Sequence, residues 1–142
     1  MTDTAKKLSL VSLFCIAAFL LVGCEFHPRV LSAYAHRVGD SETIEVTVSS
    51  SDAARIKSRQ LYFSMVVASC NGARSSFPVE PYIGERRAAE FDFATAGDDV
   101  KITGSMPVSI FEKHDRPCVF LQGGSYFGGK LKSASVPITS DR

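Results

Sequence analysis

The amino-acid sequence predicts an all-β protein, a small antiparallel β-sandwich of the immunoglobulin-like type with about seven strands. Two observations favour this fold. Short segments alternate apolar with polar residues, and turn signals recur about every eight to twelve residues. The chain has no Trp, so it lacks the core Trp of antibody domains, and the pattern predicts an architecture rather than homology.

Each predicted strand rests on its own pattern. In the first, Ile44, Val46 and Val48 alternate with polar residues, which is typical of a half-buried strand. The second is apolar on both faces, as in the centre of a sheet. A break at residues 104–107 divides the fourth segment into two strands. The predicted segments are 42–50, 60–69, 89–94, 100–112, 117–123 and 130–138.

A short helix is predicted between the first two strands, over residues 51–59. Ser51 or Asp52 can cap its first turn, because both side chains accept hydrogen bonds from free backbone N–H groups. Gly39-Asp40 and Asn71-Gly72 are turn signals that separate the elements on either side of them.

Residues 1–23 have the pattern of a secretory signal helix. Lys6 and Lys7 make a positive start, and residues 8–23 then carry no charge. This apolar segment has the length of a signal sequence and is short for a bilayer span, which needs about 20 residues. It ends at Leu21-Val22-Gly23-Cys24 and not in the small residues of an ordinary cleavage site.

The segment Leu21-Val22-Gly23-Cys24 resembles the lipobox of bacterial lipoproteins. The resemblance covers residues 1–24 alone. It implies that Cys24 becomes the lipidated first residue, with diacylglycerol on its thiol and a fatty acid such as palmitate on its amino group. Two or more acyl chains hold a protein stably at a membrane. Glu25, where an Asp would favour the inner membrane, favours the outer membrane for a Gram-negative source. The periplasmic face of that membrane is the expected location, although no residue specifies the face.

The predicted organisation is a lipoprotein signal peptide at 1–23, a lipidated cysteine and tether at 24–41, and a β-sandwich domain at 42–142. Removing the signal takes two basic and one acidic residue from the 16 basic and 15 acidic residues of the chain, so the mature protein is close to neutral. Nucleic-acid binding needs a concentrated cationic face and is excluded as a predicted function. The sequence holds no cofactor-binding motif and no metal-ligand spacing.

Cys70 and Cys118 are predicted to form a disulfide, because an exported chain folds in an oxidising compartment. Their spacing would also allow the bond to join two sheets. The bond closes a loop of about 48 residues, for which the chain-entropy relation gives about 4 kcal/mol of stabilisation. The alternative is a reactive or metal-binding thiol, against which the lack of C-x-x-C spacing counts.

The segment 123–132 contains a candidate binding loop, formed by Tyr126, Phe127 and Lys130 between paired glycines. One interpretation is an exposed aromatic loop that anchors a partner. The other is a tight turn or bulge with at least one ring in the core, since glycines permit unusual backbone conformations. The sequence favours the second interpretation.

The remaining polar groups fit structural roles better than chemical ones. His114 lies near Cys118, but a Cys–His nucleophile requires a free thiol. Adjacent acids in a turn do not supply the oxygen ligands of calcium. No catalytic or metal-binding residue is therefore predicted. The groups assigned to solvated turns, strands or tether are Asp98-Asp99, Glu90 with Asp92, His27, His36 and Arg86-Arg87.

These observations favour a membrane-anchored, non-catalytic envelope lipoprotein that acts as a protein-binding or accessory module, with the partner unidentified. The alternative is a periplasmic inhibitor or immunity lipoprotein that blocks a toxic enzyme. A hydrolase is a further hypothesis, since catalytic residues need not be close in sequence. A solute- or glycan-binding module is another, less favoured because the chain has no Trp.

Overall fold

The computed structural model describes residues 25–72, 75–88, 98–126 and 128–140. These residues form two mixed β-sheets packed together, so the predicted all-β sandwich is confirmed. The long neighbouring strands are antiparallel, and two short edge pairs are parallel.

The first sheet is built around two eight-residue strands that pair along their whole length. Its strand order is β1 (Glu25–Phe26), β10 (Lys130–Lys132), β9 (Pro117–Gly124), β4 (Tyr62–Ser69) and β5 (Ser76–Val79), with β11 (Val136–Pro137) also paired to β9. Pro78 lies in an edge strand, where the missing backbone N–H leaves no interior ladder position unpaired.

The second sheet is centred on the antiparallel pairs of β3 with its two neighbours. Its strand order is β12 (Thr139–Ser140), β2 (Val30–Val38), β3 (Ser41–Val48), β8 (Val100–Pro107), β6 (Tyr82–Ile83) and β7 (Arg86–Arg87). Two helices connect the sheets: α1 (Ser50–Ser58) leads from β3 to β4, and α2 (Val108–Phe111) from β8 to β9.

The order of the main strands is that of an immunoglobulin-type sandwich. The run β2-β3-β8-β6 corresponds to strands A-B-E-D, and the run β10-β9-β4-β5 to strands G-F-C-C′. The core lies between the sheets, where alternate residues of each strand point inward. Ile44, Val46, Met65, Val67 and Leu121 are fully buried there.

Helix α1 has a specific cap at each end. The Ser49 hydroxyl accepts a hydrogen bond from the Asp52 backbone N–H at 3.2 Å, so the cap lies two residues before the predicted Ser51. At the other end Gln60 has φ +50°, and the N–H groups of Gln60 and Leu61 bond to the carbonyls of Lys57 and Ile56. This pair of bonds is a Schellman motif with Gln in the position that favours Gly.

Part of the segment predicted as a tether is strand β2, which pairs with β3 over residues 30–38. The pattern is misleading because the inward side chains are the small Ala33 and Ala35. The larger Leu31 and Tyr34 face outward and are 42% and 52% exposed. Two further residues of the predicted tether also lie in a strand, because Glu25 and Phe26 of β1 pair with β10.

The predicted break at residues 104–107 is absent, since β8 continues from Val100 to Pro107. Gly104 is needed for packing: a Cβ there would overlap the side chains of Met65 and Val79 and lie 2.9 Å from the Glu80 carbonyl. Val108–Phe111, predicted as part of a strand, forms α2. The strand predicted at 89–94 lies outside the described residues.

The predicted disulfide between Cys70 and Cys118 is present, with Cα atoms 5.0 Å apart. It does not join the two sheets. Cys118 lies in β9 and Cys70 directly follows β4, so the bond links neighbouring strands of the first sheet at one end. We call this the disulfide end. The opposite end, where Glu25, Lys130, Gly124 and Tyr62 are register neighbours, is the Glu25 end.

Candidate functional site

The outer face of the first sheet carries more apolar side chains than a solvated sheet face normally does. Strand β4 alternates inward and outward residues, and its outward set includes Tyr62, Val66 and Ala68. Phe120 pairs with Val66 from β9, and Pro78 pairs with Val66 from the other side. We call this surface the apolar face and define it by Tyr62, Ser64, Val66, Ala68, Ser76, Pro78, Phe120 and Gln122.

The outer face of the second sheet has the opposite chemistry along its central strands. Apart from Pro107 at the end of β8, the outward positions of β3 and β8 are threonines, serines and charged residues. Lys101 Nζ lies 2.9 Å from Glu45 Oε1, and the Thr43 and Ser105 hydroxyls are 3.3 Å apart. Antiparallel sheets normally keep one face polar in this way. The apolar face departs from that rule, as sheet surfaces used for binding do.

Tyr126 lies at the Glu25 end of the apolar face, in the loop between β9 and β10. Tyr126 is 86% exposed, and its ring meets the Tyr62 ring edge-on, with centroids 5.1 Å apart. Tyr126 is therefore not a core residue. Phe127, the second aromatic residue of the predicted loop, lies outside the described residues.

Short hydrogen bonds fix the shape of this loop. The Ser125 N–H donates to the Gly129 carbonyl at 2.9 Å, and the Gly129 N–H donates to the Ser125 hydroxyl at 3.0 Å. Gly128 has φ +87°, a conformation that suits glycine. The pKa of Tyr62 is raised above its ordinary value. The larger cause is a hydrogen bond with Tyr126, and the next is desolvation of the Tyr62 side chain.

Positive charge borders the apolar face on the β10 side. Lys130 and Lys132 are exposed and point outward, and Lys132 Nζ lies 5.9 Å from the centre of the Phe120 ring. An ammonium group at that distance is attracted to the ring face. Lys130, the third residue of the predicted loop, is therefore at the surface beside the tyrosine pair.

The chain just after Cys24 is held firmly at the same end. Phe26 is buried in the core, and the Arg59 guanidinium lies 5.6 Å from the centre of its ring. His27 Nδ1 is 2.8 Å from the Lys132 carbonyl oxygen. His27 is thus a structural contact between β1 and β10, where the sequence predicted a solvated tether residue. Cys24 itself lies outside the described residues.

A cluster of charged residues at the opposite end of the sandwich was not predicted. Arg37 contacts Glu112 at 2.7 Å and the buried Glu42 at 3.5 Å. The contact with Glu112, and to a lesser extent that with Glu42, raises the pKa of Arg37. Arg37 and Glu112 line an open groove of about 460 Å³ together with Asp40 and Val108. The cluster escapes sequence analysis because its members come from three separate elements.

His114 is buried, 6% exposed, and its Nδ1 has no hydrogen-bond partner among the described residues. The nearby Cys118 is in the disulfide and has no thiol to act as a nucleophile.

The other polar groups considered in the sequence lie at the surface or outside the described residues. Asp98 and Asp99 are exposed, and Glu90 and Asp92 lie outside the described residues. Arg87 forms an ion pair with Glu80 at 3.2 Å, and His36 is exposed on β2.

Over residues 25–72, 75–88, 98–126 and 128–140, no three His, Cys, Asp or Glu side chains are grouped as metal ligands would be. Within the same ranges, neither helix has the length and apolar character needed to cross a bilayer.

Comparison of the chain with protein-family models, with curated proteins and with solved structures finds no match.

Proposed function

We propose that this protein is a lipid-anchored, non-catalytic lipoprotein of the bacterial envelope whose sandwich binds another protein through the apolar face. The observation that carries the binding role is the contrast between the two outer faces. Val66 and Phe120 lie at the centre of one, while threonines and an ion pair occupy the centre of the other, whose exposed Leu31 and Tyr34 lie on β2. A contiguous apolar surface with a polar rim is typical of a protein-binding site.

The anchoring part of the proposal rests on the lipobox-like segment that ends at Cys24. For a Gram-negative source, Glu25 favours the outer membrane as the location of the mature protein, and we propose that the domain faces the periplasm.

Site-specific photo-crosslinking in intact cells tests the binding role. A photoreactive phenylalanine derivative at position 120 is compared with the same derivative at Thr103, which occupies the central part of the polar outer face. The proposal predicts a discrete covalent adduct from position 120 and none from position 103. Equal adducts from both positions, or none from either, would contradict it.

The identity of the crosslinked protein separates the two forms of the proposal. A component of an envelope assembly would indicate an accessory module. A secreted or imported enzyme that loses activity in the complex would indicate an inhibitor. Phe120→Ser should reduce the yield of a crosslink placed at Val66, which is its register partner, while Thr103→Val should leave that yield unchanged.

A further inference from the structure

We infer that the Glu25 end of the sandwich lies in the lipid head-group layer, with Tyr126, Lys130 and Arg59 in contact with lipid. This inference rests on the proposed attachment of lipid at Cys24. It goes further, because lipidation alone does not say how the domain is oriented or whether it touches the membrane at all.

The length of chain between the lipid and the first strand decides the geometry. Consecutive Cα atoms are about 3.8 Å apart, so Cys24 lies one such step from Glu25. Glu25 is already paired with Lys130, and Phe26 is buried in the core. The anchor therefore has no flexible linker that would let the domain stand away from the membrane.

The thickness of the head-group layer then places the neighbouring strands. This layer extends about 5–7 Å on each side of the hydrocarbon core. Adjacent strands are about 4.8 Å apart, so the β10 strand next to Glu25 lies within that distance of the anchored chain. A glycerol group bonded to the Cys24 thiol thus brings the β9–β10 loop to the depth of the lipid phosphates.

The side chains at this end suit that environment. Tyr126 is 86% exposed and projects from the loop beyond the last residue of β9. Tyrosine favours the membrane interface, because its ring is apolar and its hydroxyl remains hydrated. Lys130 and Arg59 supply positive charge, which attracts the phosphates of anionic lipids. Glu25, the register partner of Lys130, supplies the opposing charge at the β1 edge.

The same geometry assigns separate tasks to the two parts of the apolar face. Strand β4 rises about 23 Å from Tyr62 to Ser69. With Tyr62 near the membrane, Val66 and Phe120 stand clear of the head groups, and the disulfide end points into the aqueous compartment. The predicted binding loop then contacts lipid, and the centre of the face contacts the protein partner.

A single tryptophan tests this orientation, because the natural chain has none. Tyr126→Trp is compared with Tyr34→Trp, a matched change at a tyrosine that is 52% exposed on the middle of β2. Each variant is produced as the full chain in a bacterial host, purified with its lipid, and reconstituted into vesicles of phosphatidylethanolamine and phosphatidylglycerol. Brominated phospholipid in the same vesicles quenches tryptophan that reaches the bilayer.

The inference predicts that Tyr126→Trp emits at shorter wavelength on vesicles than in detergent-free buffer and loses most of its emission to brominated lipid. Tyr34→Trp should keep its emission. If the protein floats with the vesicles but Tyr126→Trp behaves like Tyr34→Trp, the orientation is wrong and the lipid anchor stands. If the protein does not float with the vesicles, the anchor is refuted and the orientation with it.

Discussion

The disulfide between Cys70 and Cys118 should contribute a large part of the stability of the sandwich. It closes a loop of 48 residues that contains β5 to β8 and α2, so the chain inside the loop leaves the first sheet, builds half of the second and returns. Restricting a loop of that length in the unfolded state stabilises the fold by about 4 kcal/mol. Replacing both cysteines by Ala should lower the free energy of unfolding by that amount.

The assay is urea unfolding of the sandwich produced from residue 25 onward, followed by far-ultraviolet circular dichroism. The double alanine variant should unfold at a lower urea concentration, and its m-value should rise because the unfolded chain is no longer compacted by the crosslink. Wild-type protein unfolded with and without reductant is the control and should show the same difference. A loss below about 1 kcal/mol would refute the assignment of stability to loop closure.

Three further predictions concern single residues. Gln60→Gly should stabilise the sandwich by about 0.5–1 kcal/mol, because φ +50° at the end of α1 favours glycine; a lower urea midpoint would contradict this. Gly104→Ala should destabilise it by about 1–3 kcal/mol through overlap with Met65, and an unchanged midpoint would argue against the close packing of the sheets. Tyr126→Phe should lower the pKa of Tyr62 by removing its hydrogen bond, seen as tyrosinate absorbance appearing at lower pH. The stabilisation that this bond gives to the folded state is fully present below the ordinary tyrosine pKa of about 10, and it is lost as the pH rises through the raised pKa of Tyr62. A titration that is the same in wild type and variant would refute the bond.

Strands with large inward residues could be predicted from the sequence. Ile44, Val46 and Val48 point into the core as their alternation indicates, and the apolar segment at 60–69 is the central strand β4. Strand β2 could not be predicted in this way, because its inward residues are alanines and its outward residues are larger. Periodicity reports which side chains are apolar, and here the larger apolar groups face the solvent.

The apolar face could be predicted from the sequence only in part, because it depends on which strands pair. The sequence shows apolar residues on both faces of β4, and this pattern predicts a strand that is buried on both faces. In the described part of the chain, Val66 and Phe120 are only half-buried, and the register of β4 with β9 places them side by side on that surface. Pairing of distant segments creates the apolar face, so no single segment predicts it. The exposed position of Tyr126 depends likewise on hydrogen bonds of the loop, such as that from Ser125 to Gly129.

The proposed function and the inferred orientation both depend on lipid at Cys24. The most direct measurement is mass spectrometry of the tryptic N-terminal peptide of the protein extracted from the envelope. The account predicts a peptide of residues 24–29 whose cysteine carries a diacylglyceryl group, with a third acyl chain on the amino group. A mature chain that begins at another residue, or a residue 24 with a free thiol, would contradict the account.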